Sequence, residues 1–150
     1  MQINNETIKL IQSFEGLELN AYPDPGSGGD PWTIGYGTTI YPNGKKVKKG
    51  DTITQQQATE YFMQDILKFS NKVLPLLMQS LTDNQFGALL SFAYNVGIQN
   101  LKISTLLKKV NTNPQDVSIT REFNKWVKAS GKVMPGLVRR RAEEAKLYFK

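Results

Sequence analysis

The segment that most constrains the fold is residues 86–96, Phe-Gly-Ala-Leu-Leu-Ser-Phe-Ala-Tyr-Asn-Val, which is apolar on almost every side when it is wound as a helix. Thr82 and Gln85 have the Thr-x-x-Gln spacing of a capping box, so they predict where this helix begins. Gly97 predicts its end. A helix that is apolar all round must be covered by other elements. The sequence therefore predicts a buried central helix inside a helical body.

Five further helices are predicted from polar caps, from apolar residues at helical spacing and from prolines. They run from Asn4 or Asn5 to Gly16, from Thr54 to about Leu74 before Pro75, from about Ser104 to Val110, from Asn113-Pro114 to about Lys128, and from Pro135 to near Tyr148.

Residues 17–49 have a different character, because β-prone residues are interrupted there by Gly, Pro, Asn and Asp. Residues 23–31 predict a long turn, residues 32–41 predict one or two strands, and Pro42-Asn43-Gly44 predicts a hairpin turn. We expect a small sheet of about three strands, with the lysine-rich run 45–49 as a solvated edge. The chain of 150 residues has the size of one domain. Its fold class is predicted as α+β, mainly helical.

The sequence contains no His and no Cys. This excludes disulfides, thiolate nucleophiles, a histidine base and metal sites built on these residues. Acid–base chemistry must therefore use carboxylates, Lys or Tyr, and we expect no cofactor and no metal. No apolar run is long enough to cross a membrane. The first residues lack the basic start and apolar run of a secretory signal, so we expect synthesis in the cytoplasm.

The net charge of +6 lies in the C-terminal part of the chain. Residues 121–150 hold nine Lys or Arg against three Asp or Glu, whereas residues 1–120 hold ten of each. A basic surface suits cell wall, nucleic acid or anionic lipid, and charge alone does not choose among them. Because no nucleic-acid motif is present, we expect no nucleic-acid partner; a binding module of that class is the alternative outside the enzymes.

Two carboxylates stand near the Gly- and Pro-rich turn. Glu15 falls at the end of the first helix, where the helix dipole disfavours negative charge, and Asp24 falls on the turn itself. Two acids at a loop-lined site are the minimum set for splitting a glycosidic bond, since one protonates the leaving oxygen and the other activates water or attacks.

The segments around these acids resemble the active-site segment of the phage-type lysozymes. The resemblance rests on Phe-Glu-Gly-Leu at 14–17, Ala-Tyr-x-Asp at 21–24 and Trp-Thr-Ile-Gly-Tyr-Gly at 32–37. Residues 50–65, 81–97 and 104–144 are also similar to the family in the expected order. The resemblance implies a lysozyme-like fold of two lobes, with a small N-terminal sheet lobe at about 14–53, an inter-lobe helix from about 54 and a helical lobe at about 75–150. It also implies that the first helix packs near the cleft.

The resemblance further implies hydrolysis of the β-1,4 bond between N-acetylmuramic acid and N-acetylglucosamine in peptidoglycan. Glu15 would be the general acid, while Asp24 and Thr33 would position the attacking water, with inversion favoured by family precedent. We expect a monomer that acts on the cell wall after release. The residues that align with substrate-binding positions in the cleft are Thr39, Tyr94 and Ser104. As ordinary structural residues, they would be a strand residue, a core aromatic and a helix N-cap.

The chain departs from the family pattern in two places. Eight residues separate Asp24 from Thr33, a longer spacing than is common in the family, and this brings in Asp30 as a rival carboxylate. Thr38 stands where many relatives carry His. Two alternative functions stay open. The protein could be a lytic transglycosylase or a non-catalytic peptidoglycan-binding relative. Arg139 to Arg141 are read either as cations that orient Glu15 or attract wall polymers, or as a solvated helix face.

Overall fold

The computed structural model describes all residues 1–150 and is mainly helical, which confirms the predicted α+β class. The helices are α1 Asn5–Glu15, α2 Gln55–Val73, α3 Asp83–Val96, α4 Ile98–Ile103, α5 Thr105–Thr112, α6 Ile119–Asn124 and α7 Pro135–Tyr148. The strands are β1 Glu18–Tyr22, β2 Thr33–Gly35, β3 Lys128–Ala129 and β4 Lys132–Val133. None of the seven helices is long and apolar enough to cross a bilayer.

The chain forms two compact units. One unit contains residues Met1–Phe14 and Phe69–Lys150, and the other contains Glu15–Lys68. The boundary falls inside α2, so this helix contributes to both units. The sheet-forming residues 18–35 lie in the second unit, and α3 to α7 lie in the first.

Helix α3 is the buried central helix that the sequence predicts. Phe86, Leu89 and Phe92 are fully buried. The Thr82 hydroxyl accepts a hydrogen bond from the Gln85 backbone N–H, and the Gln85 side chain accepts one from the Thr82 N–H, so the capping box is present. The core of this unit therefore forms around α3.

Helix α1 packs against α3 at a glycine. A side chain on Gly87 would overlap the hydroxyl of Thr7, which is itself fully buried. The Asn4 carboxamide oxygen caps α1 by accepting hydrogen bonds from the backbone N–H and the hydroxyl of Thr7, both at 3.0 Å. Gly87 thus allows a backbone approach that a larger residue would prevent.

Helix α7 carries a buried ion cluster, which consists of Arg140, Arg141 and Glu144. The Glu144 carboxylate accepts from Arg141, lies 3.4 Å from the Arg140 Nε and accepts from the Ser91 hydroxyl at 2.5 Å. Burial raises the pKa of the Glu144 carboxyl, whereas the two guanidiniums and the Ser91 hydroxyl favour its charged form. The solvated face that the sequence allowed for residues 139–141 is therefore wrong for Arg140 and Arg141, which are 3% and 0% exposed.

Residues 113–133 differ from the predicted long helix. The Asn113 side chain accepts from the Gln115 N–H, and the Asp116 side chain accepts from the Ser118 N–H, so two side-chain turns replace the first helical turns. Helix α6 begins only at Ile119 and ends at Asn124. The β3–β4 hairpin follows, and its turn uses the positive φ angles of Ser130 and Gly131. The prediction of one helix from Asn113-Pro114 to about Lys128 is therefore wrong.

The second unit contains a smaller sheet than predicted. β1 and β2 pair antiparallel, and a third segment joins only through the bridge from Asn20 to Thr52. Residues 39–47 form a tight hairpin in which the Val47 N–H bonds to the Thr39 carbonyl, and the predicted turn at Pro42-Asn43-Gly44 closes it. The lysine-rich run 45–49 forms the second arm of this hairpin and the residues after it; its lysines are exposed as expected, while Val47 is buried.

Thr38, at the position of the family His, donates a hydrogen bond to Asp65 of α2 at 2.6 Å. The Asp65 carboxyl is partly buried, and this desolvation raises its pKa, although the Thr38 bond works in the opposite direction.

The substitution Asp65→Asn is expected to stabilise the protein at neutral pH. A carboxyl whose pKa is raised by folding binds more protons in the folded state, so wild-type stability falls as the pH rises from the unfolded pKa through the folded pKa. Below about pH 3.9, the reference pKa of Asp, the gain should disappear because both states are protonated. Thermal unfolding between pH 3 and pH 8 should show a rise of a few degrees at the upper end only. Equal melting temperatures at pH 7 would contradict the role of burial.

Candidate active site

Glu15 is the last residue of α1, and Gly16 ends the helix with a φ of +70°. The carboxylate is partly exposed, and β1 begins three residues later at Glu18. The short connection ties the end of the helix directly to the sheet. Glu15 is therefore held by two regular elements, one on each side in the chain.

Asp24 lies just after β1 and is held by its own turn. Its Oδ2 accepts hydrogen bonds from the backbone N–H groups of Gly26 and Ser27, both at 3.0 Å. Its backbone N–H donates to the Gly29 carbonyl, and its carbonyl accepts from the Gly28 N–H. The turn in the long segment between Asp24 and Thr33 is therefore closed by hydrogen bonds to Asp24 itself. The second oxygen, Oδ1, has no hydrogen bond from the protein.

Thr33 is the first residue of β2 and pairs with Tyr22 of β1. Cross-strand partners have Cβ atoms about 5 Å apart on one face of the sheet, so Thr33 and Tyr22 are side by side. The register is irregular between this pair and the pair of Glu18 with Gly35. Asp24 follows Tyr22 by two residues, so the strand pairing places Thr33 near the start of the Asp24 turn.

Tyr22 is a site residue that the sequence reasoning did not single out. Burial raises the pKa of its phenol, and the negative charges of Glu15 and then Glu18 raise it further. The phenol thus lies within electrostatic reach of Glu15 while its strand neighbour is Thr33.

Asp30 lies at the end of the Asp24 turn, and Thr39 lies at the start of the hairpin formed by residues 39–47. Asp30 is exposed, and its carbonyl accepts from the Ser27 hydroxyl at 2.6 Å. Asp30 and Thr39 line a small cavity of about 130 Å³ together with Trp32, Ile40 and Val47. Trp32 directly precedes Thr33, the first residue of β2.

Tyr94 and Ser104 lie in the helical unit and have structural roles there. Tyr94 of α3 packs on Phe69 with ring centroids 5.0 Å apart. The Ser104 hydroxyl caps α5 by accepting from the Leu107 N–H and donates to the Leu101 carbonyl. Ser104 is 3% exposed. Contacts of these two residues and of Thr39 with a sugar stay predictions.

The two units define a lysozyme-like α+β protein, with a carboxylate at a helix end followed by a hairpin that carries a second carboxylate and a threonine. The phage lysozyme family model matches residues 12–144. The chain belongs to the phage lysozyme family.

Three relatives illustrate the similarity. The endolysin of Bacillus phage PZA is 42% identical over 148 residues, which are 99% of this chain and 55% of that protein. The structure of the endolysin from Escherichia coli O157:H7 phage FAHEc1 has a TM-score of 0.88 at 38% identity, with 100% of this chain and 94% of that chain covered. The muramidase domain of SpmX from Asticaccaulis excentricus has a TM-score of 0.83 at 32% identity, with 99% and 98% covered. The chain thus spans about half the length of the Bacillus phage relative.

Proposed function

We propose that this protein is an endolysin of the muramidase type, which hydrolyses the β-1,4 bond between N-acetylmuramic acid and N-acetylglucosamine in peptidoglycan. Glu15 is the general acid, and Asp24 and Thr33 position the attacking water. The observation that supports the proposal is the pairing of Thr33 with Tyr22, because the Tyr22 phenol is affected by the charge of Glu15 and Tyr22 stands two residues before Asp24. The names of the relatives, endolysins and a muramidase domain, support the same substrate.

The reaction needs one proton donor and one proton acceptor. Glu15 donates its proton to the leaving glycosidic oxygen as the bond to the anomeric carbon breaks. Asp24 accepts a proton from the water whose oxygen attacks that carbon, and the Thr33 hydroxyl fixes the water by a hydrogen bond. The Asp24 Oδ1 suits this role because Oδ2 is already engaged by Gly26 and Ser27. The products are a new reducing end and a free sugar hydroxyl.

The test of the function is the clearing of purified peptidoglycan, followed by mass spectrometry of the fragments. We expect clearing with hydrated reducing-end muropeptides. Anhydro ends would assign the protein to the lytic transglycosylases. Binding to the wall without cleavage by the folded protein would make it a non-catalytic relative. The anomer formed first, read by NMR, should be the inverted one if Asp24 acts through water.

The substitution Asp24→Asn should reduce hydrolysis by roughly 10² to 10⁴-fold, the usual contribution of a general base. Asparagine keeps an oxygen for the N–H groups of Gly26 and Ser27, so the turn should survive. Initial rates of clearing measure the effect. The matched control is Asp30→Asn, which changes an exposed carboxylate of the same loop and should leave the rate nearly unchanged. If Asp30→Asn lost activity and Asp24→Asn kept it, Asp30 would be the second carboxylate of the mechanism.

A variant Asp24→Asn that keeps full activity and forms anhydro ends would contradict the water-holding role, because a transglycosylase requires only one acid. We also propose that the protein acts as a monomer on the cell wall after release, which sedimentation at working concentration would check.

A further inference from the structure

A cavity of about 460 Å³ lies within the unit Glu15–Lys68. We call it the tyrosine cavity. Its volume is in the range of small-molecule binding sites. Neither Glu15, Asp24 nor Thr33 lines it, and it shares no residue with the smaller cavity beside Trp32. Its lining includes two tyrosines, two carboxamides and one carboxylate, which belong to Tyr41, Tyr61, Asn43, Gln57 and Asp51.

Three pieces of the second unit form the walls of the tyrosine cavity. Residues 51–53 are held against β1 by two backbone hydrogen bonds of 2.9 Å. The hairpin of residues 39–47 supplies the second wall through its turn. The third wall is α2, on which Gln57 and Tyr61 are four residues apart and therefore neighbours on one face. The cavity is thus built on regular structure and on a closed turn.

The two tyrosines form an aromatic corner. Their ring centroids are 5.5 Å apart, and the ring planes are inclined by 62°. The Tyr41 hydroxyl donates to the Asp51 Oδ2 at 2.7 Å, which fixes this ring. Both side chains are only partly buried, so ring surface remains available to a ligand. Aromatic faces carry partial negative charge and attract polarised C–H groups, such as those on one side of a sugar ring.

The two carboxamides have their oxygens engaged and their NH₂ groups available. The Asn43 Oδ1 accepts from the Lys45 N–H at 2.9 Å. The Gln57 Oε1 accepts from the Thr54 N–H at 3.0 Å as part of the helix cap. These bonds fix which end of each carboxamide is turned away. The tyrosine cavity therefore offers two NH₂ donors to an acceptor on a ligand.

Asp51 supplies the complementary acceptor. Its Oδ2 accepts from the Lys48 N–H at 3.0 Å and from the Tyr41 hydroxyl, and these bonds hold the pKa of the Asp51 carboxyl below its usual value. The carboxylate is therefore charged at neutral pH, and its Oδ1 remains to accept from a ligand. Asp51 is the one charged residue that lines the cavity, since the exposed lysines of the run 45–49 do not line it. This favours an uncharged ligand over an anionic one.

We propose that the tyrosine cavity binds an N-acetylhexosamine residue of a glycan. The C–H side of the sugar packs on Tyr61, the NH₂ groups of Asn43 and Gln57 donate to the acetamido carbonyl and a hydroxyl, and Asp51 accepts from the acetamido N–H. An apolar surface with a few convergent polar groups is typical of small-molecule sites. An acetamido group offers both the acceptor and the donor that this lining needs, whereas a plain hexose offers only hydroxyls.

The biological role of this second glycan site rests on the proposed function, because the proposed substrate contains this sugar. Binding itself requires no catalysis, so the two proposals are tested separately. A protein that binds the sugar in the tyrosine cavity and does not hydrolyse peptidoglycan would contradict the proposed function alone.

The test is a titration of the ¹⁵N-labelled Glu15→Gln variant with chitotriose, followed by NMR of the backbone N–H groups. We expect saturable shifts at residues 41, 51–53, 57 and 61, with a dissociation constant of their own. Shifts near residues 15, 24 and 33 would report the proposed catalytic site and do not count for the cavity. Cellotriose, which lacks acetamido groups, should bind the cavity on the order of tenfold more weakly. Equal binding of cellotriose, or no cavity shifts with chitotriose, would overturn the proposal.

Two variants test the lining in the same Glu15→Gln background. Tyr61→Leu keeps an apolar side chain but removes the aromatic face, so cavity binding should weaken roughly tenfold. Gln57→Glu keeps an oxygen for the Thr54 N–H and removes the NH₂ donor, so binding should weaken about fivefold. The matched control is Gln55→Glu, which makes the same change at an exposed residue of α2 that does not line the cavity. It should bind chitotriose with wild-type affinity.

Three results would contradict this assignment. Unchanged cavity binding by Tyr61→Leu would remove the aromatic contact. Equal losses in Gln57→Glu and Gln55→Glu would show an effect of charge rather than of a lost donor. Cavity shifts produced by a peptidoglycan stem tetrapeptide and not by chitotriose would assign the site to a peptide. The dispersion of the NMR spectrum shows that each variant is folded, and Gln57→Glu decides if Tyr61→Leu does not fold.

Discussion

The substitution Glu15→Gln is expected to lower the rate of peptidoglycan hydrolysis on the order of 10³-fold, because glutamine cannot donate the proton that the leaving oxygen needs. The glutamine has nearly the same shape as glutamate. Substrate binding should therefore change much less than the rate of bond breaking. Initial rates on purified peptidoglycan, together with a pull-down of the variant on insoluble wall, measure the two quantities separately.

The matched control for this variant is Glu18→Gln. Glu18 is an exposed carboxylate three residues further along the chain, and it also acts on the Tyr22 phenol. This variant should keep most of the wild-type activity. Equal losses in both variants would mean that the general negative potential matters rather than a proton donor at Glu15. Full activity of Glu15→Gln would remove Glu15 from the mechanism and would favour another acid.

The substitution Glu144→Ala should lower the free energy of unfolding by about 3–5 kcal/mol, the usual cost of removing one member of a buried ion pair. Both arginines would then lose the Glu144 carboxylate, and the Ser91 hydroxyl would lose its acceptor. Urea unfolding followed by circular dichroism gives the free energy.

Two further variants define what the buried ion cluster contributes. Glu144→Gln keeps an acceptor for Ser91 and Arg141 but loses the charge, so it should cost less than the alanine. Arg139→Ala changes the exposed arginine next to the cluster and should stay within about 0.5 kcal/mol of wild type. A loss below about 1 kcal/mol for Glu144→Ala would contradict the importance of the charge. If Glu144→Ala does not fold, the free energy of unfolding of Glu144→Gln, measured at several temperatures, tests the contribution of the charge.

Helix boundaries were predictable where a side chain acts on its own backbone. The Thr54 and Thr82 capping boxes both form, and the sequence spacing alone indicated them. Gly97 and Pro135 end and begin helices as expected, since their backbone requirements are local. The buried state of α3 was equally visible, because a helix without a polar face has only one environment available.

The failures occur where two local signals compete. Asn113-Pro114 indicates a helix start, but the Asn113 side chain caps a turn instead, and Asp116 repeats the same alternative. Helix α4 was not predicted, because its six residues are too few to show a periodicity. The burial of Arg140 and Arg141 was not predictable either. It depends on Ser91, Asn95 and Trp126, which are distant in the sequence.

For the candidate site, the sequence indicated candidate residues but not how the loop accommodates its extra length. Glu15, Asp24 and Thr33 followed from a family resemblance, and their catalytic roles stay predictions. Tyr22 was identified only from the strand register. Because the register shifts between the Glu18–Gly35 pair and the Tyr22–Thr33 pair, the sequence pattern alone does not indicate that Tyr22 and Thr33 are partners.

The turn that follows Asp24 has a consequence for how this loop can vary. The donors that orient the carboxylate come from Gly26 and Ser27, and Gly28 and Gly29 close the same turn. The orientation of the Asp24 carboxylate is therefore set by the turn at residues 24–30 and not by the number of residues before Thr33. The Asp30 carbonyl accepts from the Ser27 hydroxyl, so the residues that can change without disturbing this turn are those between Asp30 and Thr33. The orientation of the Asp24 carboxylate and the side chains at positions 31 and 32 can thus vary independently within one loop.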